Sequence, residues 1–255
     1  MIQNPIHRVL STLRAHEIKF LLMGGQACIF YGAAEFSRDT DIVLLAEPDN
    51  IDRLRTALDE LQAVSIAVPP FDESYLHRGH ALHFRCRRPD VDRMRIDVMS
   101  VLRGLDDFPA LWKRRTTIKT EAGDVYDVLS LQDLVLAKKT QRDRDWPMLR
   151  RLVEAHYTEH SSSPNAAQVR FWLRESRTPS ILTDITGRFP KEVSEAVEAR
   201  PLLAHAVSKD MEALESGLQQ EEKDEQARDR QYWAPLVGEL ERLRHERDPG
   251  RAPGR

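Results

Sequence analysis

The chain has 255 residues, of which 41% are hydrophobic and 31% are charged, and its formal net charge is −3. This length allows a sizeable core, either as one large domain or as a domain with an appendage. The slightly acidic balance argues against a protein that coats nucleic acid by charge alone. Two cysteines, Cys28 and Cys86, lie in apolar surroundings and are interpreted as buried thiols. No basic-then-apolar leader or membrane-length apolar run is visible, so we expect a soluble, cytoplasmic protein.

The N-terminal part alternates between helix and strand patterns. Apolar residues at helical spacing predict a helix over residues 5–17, and the apolar run from about Ile18 to Met23 predicts the first strand. Gly24 and Gly25 follow the strand and precede a helix-like segment, Gln26 to Tyr31. Glycines let backbone N–H groups come close to an anion such as a polyphosphate, although an ordinary tight turn is the alternative.

Two acidic residues open the next strand. Asp39 and Asp41 precede the apolar run 42–45 and, as residues i and i+2 of a strand, point to the same face. Adjacent carboxylates repel unless a cation lies between them, and a divalent ion with oxygen ligands is the usual solution. The alternative is a solvated strand edge with Arg38 as an ion-pair partner.

Further strands and helices follow in order. The segment Pro48-Asp49-Asn50 predicts the start of a helix by N-capping chemistry, and its buried stripe is Ile51, Leu54, Leu58 and Leu61. Residues 64–68 predict a short strand. Residues 71–80 are ambiguous between loop and helix. Alternation over residues 81–86 and 93–99 predicts two strands; if they pair, His83 and Arg85 share the open face of Asp97.

The C-terminal half is helical after one hairpin. The predicted segments are a helix at 108–115, a hairpin of strands 116–119 and 125–128, helices at 130–140 and from 145 to about 156, and helical stretches near 166–174, 191–199, 202–216 and 236–246. We interpret the charged run 221–230 as an exposed helix. The predicted domains are a first domain 1–160, a linker 161–165, a helical region 166–248 and a disordered tail 249–255.

The glycine pair, the Asp-x-Asp of Asp39 and Asp41, and Asp97 on a later strand resemble the signature of the DNA polymerase β-like nucleotidyltransferase superfamily. The resemblance implies an α+β fold with a short mixed sheet flanked by helices. It also implies transfer of a nucleoside monophosphate from an NTP, with Asp39, Asp41 and Asp97 as catalytic residues that ligate two Mg²⁺ ions.

Residues 133–149 resemble a stretch that follows the catalytic domain in the toxin-like abortive-infection branch. By that resemblance Lys138, or Lys139, meets the nucleotide phosphates, with Arg142 and Asp145 as an Arg-x-x-Asp. Gly24, Gly25, Arg38, Lys138 and Arg85 are the predicted nucleotide-binding residues. The implied acceptor is RNA, tRNA or a protein, and a cognate antitoxin is an implied partner.

Other interpretations stay open at this point. A small-molecule acceptor of the aminoglycoside type is the alternative within enzymes, and a non-catalytic nucleotide-binding or toxin–antitoxin module is the alternative outside them. His77, His80, His83 and Cys86 recur at steps of three, but this spacing does not match paired zinc ligands, so we expect surface or pocket histidines. The basic bias of residues 78–115 fits either a solvated face or a phosphate- or RNA-holding surface.

Overall fold

A computed structural model describes residues 4–121 and 123–247. The predicted tail at 249–255 lies outside the described residues. The described chain separates into two compact units: residues 4–30, 34–121, 123–137 and 231–247 form the first, and residues 31–33 and 138–230 form the second. The sequence-predicted linker at 161–165 joins two helices of the second unit.

The seven strands all belong to the first unit. They form one mixed sheet in the order β3-β4-β5-β2-β1-β7-β6, in which β2 pairs parallel with β5, β1 pairs parallel with β7, and the other neighbours are antiparallel. The strands are β1 (Phe20–Met23), β2 (Asp39–Leu44), β3 (Val64–Ser65), β4 (Leu82–Arg85), β5 (Arg95–Met99), β6 (Thr116–Lys119) and β7 (Val125–Val128). The expected α+β class and mixed sheet are confirmed.

The first unit also contains the first six helices. They are α1 (Asn4–Ala15), α2 (Gly24–Phe30), α3 (Pro48–Glu60), α4 (Glu73–His77), α5 (Phe108–Lys113) and α6 (Leu131–Ala137). The predicted buried stripes of α1 and α3 are confirmed: Ile6, Val9, Leu10 and Leu13 on α1 and Ile51, Leu54, Leu58 and Leu61 have at most 3% of their surface exposed.

The start of α3 differs from the expectation. The capping chemistry predicted for Pro48-Asp49-Asn50 is absent: the N-cap residue is Glu47, whose side chain makes no capping bond, and Pro48 occupies the first turn. Instead, the buried Asn50 side chain accepts a hydrogen bond from Lys19 N–H (2.8 Å) and donates to the Lys19 (3.1 Å) and Leu45 (2.7 Å) carbonyls. Asn50 therefore satisfies backbone groups just outside β1 and β2, because buried polar groups need partners.

Two further expectations on extent were wrong. The strand predicted at 64–68 covers only Val64–Ser65. The helix predicted at 130–140 is α6 and ends at Ala137, so Lys138 lies in the turn after the helix rather than on it. Ser130 does cap α6, because its hydroxyl accepts from Asp133 N–H at 3.2 Å.

The second unit is helical. Its helices are α7 (Asp145–His160), α8 (Ala166–Glu175), α9 (Pro179–Arg188), α10 (Pro190–Ala196), α11 (Leu203–Ser208) and the first part of α12 (Met211–Arg247). The stretch predicted at 202–216 is broken at Lys209, which has φ +59° and ends α11. Trp172 is fully buried, and its indole N–H donates to His156 Nδ1 at 2.8 Å.

The charged run 221–230 lies in the 37-residue helix α12. The expectation of a solvated face was wrong for Asp229, which is 2% exposed and accepts a hydrogen bond from Gln141 N–H at 2.8 Å. Across residues 4–121 and 123–247, none of the helices combines the length and the apolar character needed to cross a membrane.

Candidate active site on the mixed sheet

Strands β2 and β5 bring the three predicted acids to one face of the sheet. In their parallel register Asp41 lies opposite Asp97 and Asp39 lies opposite Arg95. Directly opposed residues of paired strands project to the same face. The residues between them, Thr40 and Ile96, are fully buried on the other face. The carboxylates therefore share one side because buried alternate positions fix the register.

Gly24 is packed against one of these acids. It begins α2 with φ +64°, and a Cβ at this position would lie 1.9 Å from Asp41 Oδ2 and 2.6 Å from Asp41 Cβ. A Cβ on Gly25 would lie 2.4 Å from Ser37 Oγ. The glycine pair thus has a role that the sequence did not indicate: it makes room for the residues leading into β2 and for the Asp41 side chain.

Asp97 is held by two basic side chains on neighbouring positions. His83, its register partner on β4, places Nδ1 2.8 Å from Asp97 Oδ1, and Arg95 Nε donates to the same oxygen at 2.7 Å. Burial raises the pKa of Asp97, but the hydrogen bonds from His83 and Arg95 outweigh burial and hold that pKa below its ordinary value. Asp97 is therefore ionised near neutral pH.

The His83 ring has two alternative hydrogen-bonding roles. Arg95 Nη2 lies 3.1 Å from the same Nδ1 atom that faces Asp97. A guanidinium only donates, so Nδ1 accepts from Arg95 when it carries no proton and donates to Asp97 when it does. The two contacts exclude one another as hydrogen bonds, so the proton on Nδ1 decides which one forms.

Arg95 is the residue of this face that sequence reasoning missed. Burial lowers the pKa of its guanidinium, but the bond to Asp97 and the attraction of Asp97, Asp39 and Asp41 leave that pKa above its ordinary value. Its signal was present in the sequence, because alternation places Arg95 on the same strand face as Asp97. The sequence analysis gave Arg95 no role of its own at the site.

The other predicted nucleotide-binding residues have different surroundings. Arg85, on β4, is an exposed register neighbour of Arg95 and shares its face. Arg38 is exposed, and its guanidinium lies 5.6 Å from the ring centroid of Phe36. Lys138 belongs to the second unit, where its Nζ lies 3.3 Å from Asp145 Oδ1.

Asp145, the acid of the Arg-x-x-Asp motif, contacts several side chains of the second unit. Its carboxylate accepts from Lys138, from Thr140 Oγ1 (2.6 Å) and from Arg142 Nε (2.7 Å). Lys139 instead lies 2.6 Å from Glu175 Oε2. Lys138, and not Lys139, is therefore the lysine associated with Arg142 and Asp145.

The basic run 78–115 is largely neutralised by local acids. Arg88 pairs with Glu60 and Asp90, and Arg114 pairs with Asp106 and Asp133. The expectation of surface or pocket histidines was wrong for His80, which is 1% exposed and lies 2.7 Å from Glu239 Oε2.

The donor set of the carboxylate face fits a hard divalent cation. Asp39, Asp41 and Asp97 offer only carboxylate oxygens, which Mg²⁺ prefers, and both cationic contacts of Asp97 use Oδ1. Within the two described ranges, no group of three or more His, Cys, Asp and Glu side chains is already gathered around one metal position. Metal binding would therefore require these side chains to turn toward a shared point.

Comparison with known proteins gives no family. The chain matches none of the protein-family models and none of the curated proteins.

Proposed function

We propose that this protein is a Mg²⁺-dependent nucleotidyltransferase that moves a nucleoside monophosphate from an NTP to an acceptor hydroxyl and releases pyrophosphate. The observation that supports this most is the register of β2 and β5, which sets Asp41 beside Asp97 and brings Asp39 to the same face. Like charges at this spacing are unfavourable unless a cation is shared. The motif resemblance supplies the reaction class, and the polymerase β-like fold is part of the same proposal.

Asp39, Asp41 and Asp97 would hold the metal. When bound, Mg²⁺ neutralises phosphate charge and lowers the pKa of the attacking hydroxyl. Gly24 fixes the path of the chain beside Asp41, because any side chain there would collide with that carboxylate. His83 and Arg95 orient the Asp97 carboxylate and keep it ionised.

Phosphoryl transfer depends mainly on positioning and charge, so basic side chains near the carboxylates matter. Arg95 and Arg85 lie next to each other on the face that carries Asp97. We propose that these two arginines neutralise negative charge on the triphosphate. Arg38 and Lys138 are assigned to the same task by the motif resemblance.

A second candidate function is a non-catalytic nucleotide-binding module. The contact that favours it is the occupation of Asp97 Oδ1 by both His83 and Arg95, since an arginine among carboxylates replaces part of the charge that a metal would supply. Such a module binds an NTP without releasing pyrophosphate.

The deciding experiment incubates the full chain with each α-labelled NTP and Mg²⁺. Separate reactions receive total RNA, a protein lysate or an aminoglycoside, and labelled product and pyrophosphate are measured. Asp39→Asn and Asp97→Asn should each lower turnover by about 10²–10³-fold or more, the loss typical of removing one preorganised electrostatic group. Asp59→Asn, at an exposed acid on α3, is the matched control and should retain activity.

The reactions with different acceptors distinguish the possible classes of acceptor. Labelled RNA whose yield falls steeply with salt indicates an RNA acceptor, whereas labelled protein or aminoglycoside indicates the other two. NTP binding without pyrophosphate in any arm supports the non-catalytic module. Turnover that survives both Asp39→Asn and Asp97→Asn would refute the carboxylate face as the active site.

A further inference from the structure

The second unit contains a cavity with an unusual concentration of basic side chains. Its volume is about 420 Å³, and every lining residue lies between Lys139 and Arg228. This volume falls in the range of roughly 300–1,000 Å³ that small-molecule sites occupy. The basic residues of the lining are Lys139, Arg170, Arg174, Arg177, Arg200 and Arg228.

Two carboxylates each form ion pairs with two of these basic side chains. Glu221 receives both Arg177 and Arg200, and Glu175 receives both Lys139 and Arg174. The lining also contains Arg170, Arg228 and the acids Glu192, Glu195 and Glu225, so six positive and five negative charges meet at the site. Around Glu175 and Glu221 alone, four positive charges meet two negative charges. Glu175 is 1% exposed, and the Arg177 and Arg200 side chains are each 8% exposed, so bulk water screens this excess only weakly.

The two buried arginines differ in how many of their N–H donors have hydrogen-bond partners. Arg200 donates to the Leu173 carbonyl at 2.7 Å, to the Ser176 carbonyl at 2.9 Å and to both oxygens of Glu221. Arg200 thus has a structural role, because it ties the end of α8 to α12.

Arg177 has no comparable set of partners. Its Nη1 donates to Glu221, but its Nε–H is buried and has no hydrogen-bond partner among the described residues. Burial and the neighbouring charge of Arg200 together lower the pKa of Arg177 below its ordinary value. An unsatisfied buried donor on a charged group is costly unless a ligand completes it.

We propose that this cavity is a binding site for the phosphoryl group of a small phosphate compound, with Arg177 as its anchoring residue. An anion offsets the positive charge that remains around Glu175 and Glu221. Phosphate oxygens also match the planar donor fork of a guanidinium. Because Nε is buried, the Arg177 side chain would have to turn toward the cavity before a phosphate oxygen accepts from its N–H.

The site is independent of the carboxylate face, since all of its lining residues belong to the second unit. It needs no divalent cation, because its charge is supplied by arginine and lysine. Its occupation would stabilise the second unit by adding contacts that only the folded chain makes.

The test measures binding to the full chain by calorimetry and by thermal unfolding, with a chelator present and ionic strength held constant with chloride. The probes are inorganic phosphate, pyrophosphate and a nucleoside 5′-monophosphate. We expect saturable binding that Arg177→Gln weakens by about 10-fold or more, the effect of one charged hydrogen bond. Arg150→Gln, at an exposed arginine of α7 outside the lining, should bind like the wild type.

Two further variants keep the result unambiguous. Arg174→Gln changes a lining side chain that is 61% exposed, so it should fold even if Arg177→Gln does not, and it should weaken binding several-fold. Asp39→Asn should leave this binding unchanged, which separates the cavity from the proposed function. Equal affinity for phosphate and the monophosphate indicates the free ion as ligand, and tighter binding of the monophosphate indicates an ester; either supports the site. No saturable binding at millimolar concentrations, or binding unaffected by both arginine variants, would overturn it.

Discussion

Gly24→Ala is the substitution whose effect on stability the structure constrains most closely. The new Cβ would lie 1.9 Å from Asp41 Oδ2 and 2.4 Å from Asp41 Cγ, and the backbone has φ +64°. The left-handed conformation costs a residue with a Cβ about 1–2 kcal/mol. Forcing a packed side chain aside adds about 1–3 kcal/mol. Together these effects should lower the free energy of unfolding by about 2–5 kcal/mol.

Gly104→Ala separates the two contributions. Gly104 has φ +74°, and a Cβ there would meet no heavy atom within 4 Å, so only the backbone cost of about 1–2 kcal/mol applies. Urea unfolding followed by circular dichroism measures both variants. Hydrogen exchange over residues 20–45 then shows whether the loss is local to β1, α2 and β2.

A double mutant tests the cause directly. Asp41→Gly removes the atoms that the new methyl would meet, so the combined variant should lose less stability than the sum of the two single changes. Equal losses for Gly24→Ala and Gly104→Ala, or simple additivity with Asp41→Gly, would refute the steric reasoning.

Three further expectations concern titratable groups. Burial lowers the pKa of His156 to about 4, so the free energy of unfolding should fall by about 1–3 kcal/mol as the pH drops from 6.5 to 4. Urea unfolding at several pH values measures this loss. His156→Gln keeps a hydrogen-bond acceptor for Trp172 and should not show it. The hydrogen bond from His80 lowers the pKa of Glu239, so its stabilisation is present above the ordinary glutamate pKa and is lost as the pH falls through the lowered value; Glu239→Gln should unfold more easily than wild type at neutral pH and converge with it in acid. Burial raises the pKa of Cys86 to about 11, so iodoacetamide at pH 8 should leave it unmodified in the folded protein and alkylate it in urea, as mass spectrometry would show.

Much of the first unit followed from local patterns. The apolar stripes of α1 and α3 and the hairpin of β6 and β7 were predicted because side-chain periodicity records which face of an element is buried. The same alternation placed Asp39 and Asp41 on one strand face, the motif resemblance added Asp97, and the register brings all three to one face of the sheet. Their catalytic and metal-binding roles stay predictions.

The wrong expectations involve partners far apart in the chain. Pro48-Asp49-Asn50 suggested helix capping, but the side chain of Asn50 bonds to the Lys19 and Leu45 backbones. Asp229 looked solvated, because the sequence does not show that Gln141 N–H lies against it. The position of each depends on how separate elements pack, which no local window of sequence contains.

The sequence alone determined the strand and helix faces, because these depend on spacing along the chain, and the motif resemblance singled out the three acids. Only the tertiary structure decided that Gly24 makes room for Asp41, that Arg95 and His83 hold Asp97, and that Arg177 is left with an unsatisfied buried donor. Close approach and charge balance are properties of atoms brought together in space, and chain order does not record them.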